Sequence, residues 1–136
     1  MILLDTHPLI WFTQGHDRLG DRARQIMEAK IKADAVKISP ITFWETSMLV
    51  QKGRVTFEQS ILDWMHAILG KALSLAEMSP EIAISAGELP GSIHGDPADR
   101  LIIATARTLG CPLLTADRQI LAYGAAGHVA VIDARH

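Results

Sequence analysis

Met1-Ile2-Leu3-Leu4 and Pro112-Leu113-Leu114-Thr115 are apolar on successive positions rather than alternate ones. Short strands buried on both faces read this way, because neither side of the pleat meets water. Ala35-Val36-Lys37-Ile38 and Val129-Ala130-Val131-Ile132 are two more candidates, and Leu73-Ser74-Leu75 is a weaker one. Longer stretches of helical pattern separate them, which predicts an α/β fold with a mainly parallel sheet of four to five strands. With 136 residues and no repeat, low-complexity tract or linker, residues 1–136 are expected to form one domain.

Helix starts are marked by a capping residue followed by proline, at Ser39-Pro40, Ser79-Pro80 and Asp96-Pro97, and more loosely at Thr6-His7-Pro8. The cap accepts a bond from an orphan backbone N–H, and proline at the first helical position gives up no needed donor. Gly53 and Gly110 fall where the helices begun at Ser39 and Asp96 should stop. Two further helices are expected over about residues 21–32 and 57–71. The stripe Phe57, Ile61, Trp64, Met65 and Ile68 on the latter reads as core.

The acids fall at informative places. Asp5 ends the first strand and Asp117 follows Leu113-Leu114-Thr115. In an open parallel sheet, ligands bind beyond the carboxyl ends of the strands, so both could face one site. The competing reading makes each a helix cap or turn residue. Glu45 shares a helix face with Ile41, Trp44, Met48 and Leu49, at offsets of three and four. A carboxylate in such a stripe costs free energy unless a charge or metal compensates it. Its alternative is an edge position, turned to water or paired with Lys52 or Arg54. Asp96 reads as a helix cap and a possible extra ligand, and Asp99, which opens the stripe Asp99, Ile102, Ile103, Ala106, as the ligand; the alternative is that both are capping groups stabilised by the helix dipole.

These segments together resemble a known family, the PIN-domain proteins of the VapC toxin type. The matching residues are Ile2-Leu3-Leu4-Asp5-Thr6-His7, Ser39-Pro40-Ile41-Thr42-Phe43-Trp44-Glu45, the block from His94 through Asp96, Asp99 and Arg100 to Ala106, and Leu114-Thr115-Ala116-Asp117. They run in the family's order and cover nearly the whole chain, although residues 55–73 carry no signature and Gln51 stands where relatives often have a basic residue nearby. The resemblance implies a three-layer α/β/α fold and a metal-dependent endoribonuclease with Asp5, Glu45, Asp99 and Asp117 as catalytic and metal-binding residues. It also implies a homodimer and a cognate antitoxin whose tail crosses the active site. Thr115 would be a hydroxyl that orients a water, with ordinary strand packing as the alternative. Asp96, Arg100 and Thr6 are secondary candidates, Arg100 either touching a phosphate or pairing with Asp96 or Asp99.

The chemistry is consistent with that reading. Two carboxylates about 4 Å apart repel by roughly 4 kcal/mol at an effective dielectric of about 20. Some must stay protonated or share a cation. Hard oxygen donors, a single cysteine and no zinc spacing among six histidines favour Mg²⁺ or Mn²⁺. Cys111 reads as core filler and the histidines nearest the acids, His7 and His94, as solvated loop residues. A net charge of −2 lacks the basic excess usual for binding nucleic acid by phosphate neutralisation alone, so something other than bulk charge must offset the phosphates, a bound divalent cation being one candidate. Trp11, Trp44 and Trp64 leave room for an apolar partner groove. No apolar run nears the roughly 20 residues of a membrane span, and an acid at position 5 argues against a signal peptide, so the expected location is cytoplasmic. A receiver domain would need a lysine after a late strand, where Asp117 and Asp133 stand, and a haloacid-dehalogenase phosphatase would need an acid at His7. A catalytically degenerate PIN fold acting as a binding module is the non-enzyme alternative.

Overall fold

The structure, a computed structural model, describes all 136 residues. Its elements are β1 (Ile2–Leu4), α1 (Thr6–Gln14), α2 (Asp21–Lys32), β2 (Val36–Ile38), α3 (Ile41–Gln51), α4 (Ile61–Ile68), β3 (Leu73–Leu75), α5 (Pro80–Gly87), α6 (Pro97–Leu109), β4 (Leu113–Thr115), α7 (Arg118–Ala125) and β5 (Val131–Asp133). All strands are parallel, in the order β3-β2-β1-β4-β5. Register pairs Leu4 with Ile38 on one side and with Leu114 on the other. The chain winds from β1 toward β3 and then returns to the far side of β1, so the winding reverses between β1 and β4. That reversal opens a crevice at the carboxyl ends of these two strands, and Asp5 and Asp117 lie there.

The successive apolar positions do what consecutive burial requires. Leu3 and Leu113 pack with Ile82 and Ala86 of α5, Ile102 and Ile103 of α6, and Ile120 and Tyr123 of α7. Ile2, Leu4, Val36, Ile38 and Leu114 pack the other way, against Leu9 and Ile10 of α1, Met27 of α2 and Trp64 of α4. The result is three layers, α/β/α. Leu3, Leu4, Leu113 and Leu114 expose no surface, and burying a side chain of that size is worth about 1.5–3 kcal/mol. This anchoring lets the strands carry acids at their ends.

Several sequence expectations change. The fourth expected strand, residues 129–132, is shifted to Val131–Asp133. The helix expected over 57–71 is shortened to Ile61–Ile68, because Ser60 caps it by accepting from Asp63 N at 3.0 Å. Phe57 still joins that core from the preceding loop, its ring 5.0 Å from Trp64. The cap at the start of α1 is Asp5, which accepts from Thr6 N, and not Thr6 itself. Helix α7 was not anticipated. The stops are as expected: Gly53 and Gly110 follow their helices at φ 70° and 64°, a region costly for other residues.

The face of α3 also differs from expectation. Its buried residues are Thr42 and Thr46, which face the packed side, while Trp44 is 53% and Met48 36% exposed. Glu45 therefore does not lie in a core stripe. It stands between that packed side and an open apolar wall.

Candidate functional site

A cavity of about 490 Å³ opens at the β1/β4 crevice, and Asp5, Glu45, Asp96, Asp99 and Asp117 all line it. Residues from four separate stretches of chain thus meet in one cleft. Each acid is placed by its own element, and several are partly engaged by the protein. Asp5 is 5% exposed; its Oδ1 accepts from Thr6 N at 2.8 Å and its Oδ2 from the Thr115 hydroxyl at 2.7 Å. Asp117 caps α7, its Oδ1 accepting from Gln119 N and Ile120 N at 2.8 and 3.0 Å. Both are caps and both line the cleft, so the two readings of these acids are not exclusive.

Asp96 caps α6, its Oδ1 accepting from Asp99 N at 3.0 Å, and it is the more exposed of that pair. Asp99 is buried at the third position of the helix. Glu45 is half-buried, and its Oε1 is without solvent access or a hydrogen-bond partner. No lysine or arginine forms an ion pair with any of these five acids. Lys52 and Arg54 also line the cleft and form no ion pair with Glu45.

The electrostatic consequence is large. Burial, followed by the charges of Asp5, Asp96, Asp117 and Glu45, pushes the Asp99 carboxyl up to about 8. Burial also raises Asp5, opposed by the bonds from Thr115 and Thr6. Glu45 is raised by burial too, opposed by the neighbouring Thr6 hydroxyl. A divalent cation fits this set. It would satisfy the orphaned Glu45 oxygen and let the crowded acids ionise together. Ligand atoms of Asp99, Asp117 and His94 lie within 4.8 Å of one another, close enough to share an ion.

Three secondary candidates have roles unlike those expected. The Thr115 hydroxyl spends its one proton on Asp5 and accepts from Asp117 N at 3.0 Å, so it braces both acids and has no donor left to orient a water. Arg100 neither faces the cleft nor pairs with Asp96 or Asp99. Its guanidinium donates to the carbonyls of Ala86, Gly87, Ile93 and His94, tying α6 to the end of α5 and the loop that follows. Thr6 is buried, its hydroxyl oxygen 3.1 Å from that of Thr42, which joins the start of α1 to α3. His94 is no solvated loop residue: its Nε2 lies 3.1 Å from Asp99 Oδ2. The expectation missed it because a histidine five residues before an acid has no periodic signature; only the loop closing onto α6 brings them together. Of the tryptophans, Trp11 and Trp44 line the cleft, while Trp64 is core.

Comparison with known proteins bears on the family and the fold. The PIN domain family profile matches residues 2–126. The chain is 34% identical over 119 residues to "Ribonuclease VapC22" of Mycobacterium tuberculosis (strain ATCC 25618 / H37Rv), covering 88% of each chain. Among solved structures, it resembles VapBC2 from Rickettsia felis bound to a promoter DNA fragment, with a TM-score of 0.70 at 21% identity over 97% of this chain and 98% of that one. A toxin–antitoxin complex from Klebsiella pneumoniae gives a TM-score of 0.64 at 22% identity over 98% and 97%.

Proposed function

Since the chain belongs to the PIN-domain family, we propose that it is a divalent-cation-dependent endoribonuclease that hydrolyses RNA phosphodiester bonds and acts as the toxin of a toxin–antitoxin pair. The observation that carries this reading is the meeting of Asp5, Glu45, Asp99 and Asp117 in one cleft, with no lysine or arginine paired to them and one Glu45 oxygen orphaned. The relative named a ribonuclease supports RNA as the substrate. Family membership supports the antitoxin, the homodimer and a cytoplasmic location, and the solved relatives cited above include toxin–antitoxin complexes. No helix of the chain is long and apolar enough to cross a membrane.

The four acids are assigned to holding Mg²⁺ or Mn²⁺, with Asp96 at the rim. The bound ion would polarise a phosphoryl oxygen and acidify the attacking water. Asp5 and Asp117 are already oriented by Thr115 and by the start of α7, so binding need not order them first. Lys52 and Arg54, which line the same cleft, are assigned to the phosphates flanking the scissile bond, which local charge can attract although the whole chain is weakly acidic.

The test is incubation of the purified protein with RNA in Mn²⁺ or Mg²⁺ and in EDTA, beside the Asp5→Asn variant. Cleavage is expected only for the unaltered protein with a divalent ion. Cleavage that persists in chelator, or in a folded Asp5→Asn, refutes the assignment.

A further inference from the structure

His94 sits on the loop that enters α6, and its ring contacts two of the acids' own segments. Its Nδ1 accepts from the Asp96 backbone N–H at 3.1 Å. A neutral imidazole has one protonated nitrogen, so a ring that accepts at Nδ1 carries its hydrogen on Nε2. That Nε2 has no solvent access and lies 3.1 Å from Asp99 Oδ2, off the axis of a well-formed bond, with no other partner. The Asp99 carboxylate is within its reach, and a carboxylate oxygen of Asp117 lies within 4.8 Å of a ring nitrogen.

The bond to Asp96 has a second effect. In a capping box, the acid at the third helical position reaches back to accept the N-cap amide. Asp99 holds that position and Asp96 is the N-cap, yet the Asp96 amide is taken by His94. The Asp99 carboxylate is thereby excused from capping. His94 also does not line the acidic cleft. It borders a separate hollow of about 410 Å³ with Gln119, Tyr123 and His128.

We propose that His94 is a positioning residue for Asp99: its Nε2–H restrains the carboxylate, while its Nδ1 replaces the reciprocal half of the capping box. This rests on the reading of Asp99 as a cation ligand. The competing role is direct ligation by His94 together with Asp99 and Asp117. Ligation at Nε2 would require the lone pair that this tautomer lacks, and hence loss of the bond from the Asp96 amide.

Two measurements test it. In metal-free protein, long-range nitrogen–proton NMR should show His94 as the Nε2–H tautomer. The Nδ1–H tautomer would overturn the proposal. Mn²⁺ affinity is then measured by calorimetry for the unaltered protein, His94→Ala and His94→Gln, each checked for folding by circular dichroism. His94→Ala should bind about ten- to a hundredfold more weakly, the usual range for a support behind a ligand. His94→Gln, which keeps an N–H at similar reach, should recover most of that loss. Affinity unchanged in His94→Ala, or nitrogen hyperfine coupling to bound Mn²⁺ in the unaltered protein, overturns the proposal. Absence of Mn²⁺ binding by the unaltered protein overturns the metal reading itself, a distinct result.

Discussion

The Thr115 hydroxyl donates to Asp5 Oδ2 at 2.7 Å, joining residues 110 positions apart, and the same oxygen accepts from Asp117 N. Thr115→Val keeps the shape and deletes both bonds. It should cost about 1–3 kcal/mol, the usual cost of leaving buried polar groups unpaired, and weaken Mn²⁺ binding, whereas Thr115→Ser should restore most of both. Urea denaturation and calorimetry read the two effects separately.

Asp99 gives the metal-free protein a defined pH dependence. Its carboxyl is raised from 3.8 to about 8, so between those values the folded state binds more protons than the unfolded one. Stability in EDTA should therefore be highest at the acid end of that window and fall as pH rises toward 8. Asp99→Asn should flatten the decline, and saturating Mn²⁺ should abolish it. Thermal melts across pH, with and without the ion, check all three; a flat profile for the unaltered protein in EDTA would count against a crowded acidic cleft.

Arg100 separates scaffold from chemistry. Because its guanidinium is spent on four carbonyls, Arg100→Ala should lower stability by about 1–3 kcal/mol. RNA affinity of the folded variant should not change. A phosphate contact would show the reverse pattern, with weakened RNA binding and intact stability.

The tryptophans should divide by location. Trp64 is 2% exposed and donates from Nε1 to Thr13 Oγ1 at 3.1 Å, so Trp64→Ala should cost about 3–5 kcal/mol. Trp44 is 53% exposed, and Trp44→Ala should stay within about 0.5 kcal/mol of the unaltered protein in urea. Any loss of antitoxin or RNA binding in Trp44→Ala would then be a surface effect.

The strands and the proline-marked helices were legible in the sequence because their signals are local. Leu3-Leu4 and Leu113-Leu114 show burial on both faces, and Ser79-Pro80 and Asp96-Pro97 show where helices begin. Helix α7 was not, since it has no proline at its start and only Asp117, which could equally be a cap or a turn residue, marks it. The acids could be singled out by their positions at strand ends and helix starts. What Thr115, Arg100 and His94 do depends on which loop folds back over which helix. Those contacts span 110 residues for Thr115, and for His94 and Arg100 they depend on the path of residues 88–96. No local pattern encodes them.

The reversal of winding between β1 and β4 sets an order of assembly. Asp5 leaves the ribosome first among the four acids and Asp117 last, and the last strand to reach the centre, β4, is the one that docks against β1. A chain interrupted before Leu113 could hold Asp5 and Glu45 on formed elements, yet it would lack the opposite wall of the cleft. If the four acids cut RNA, a half-made copy is harmless to the ribosome producing it, and the two halves, expressed as separate fragments, should be inert until they recombine.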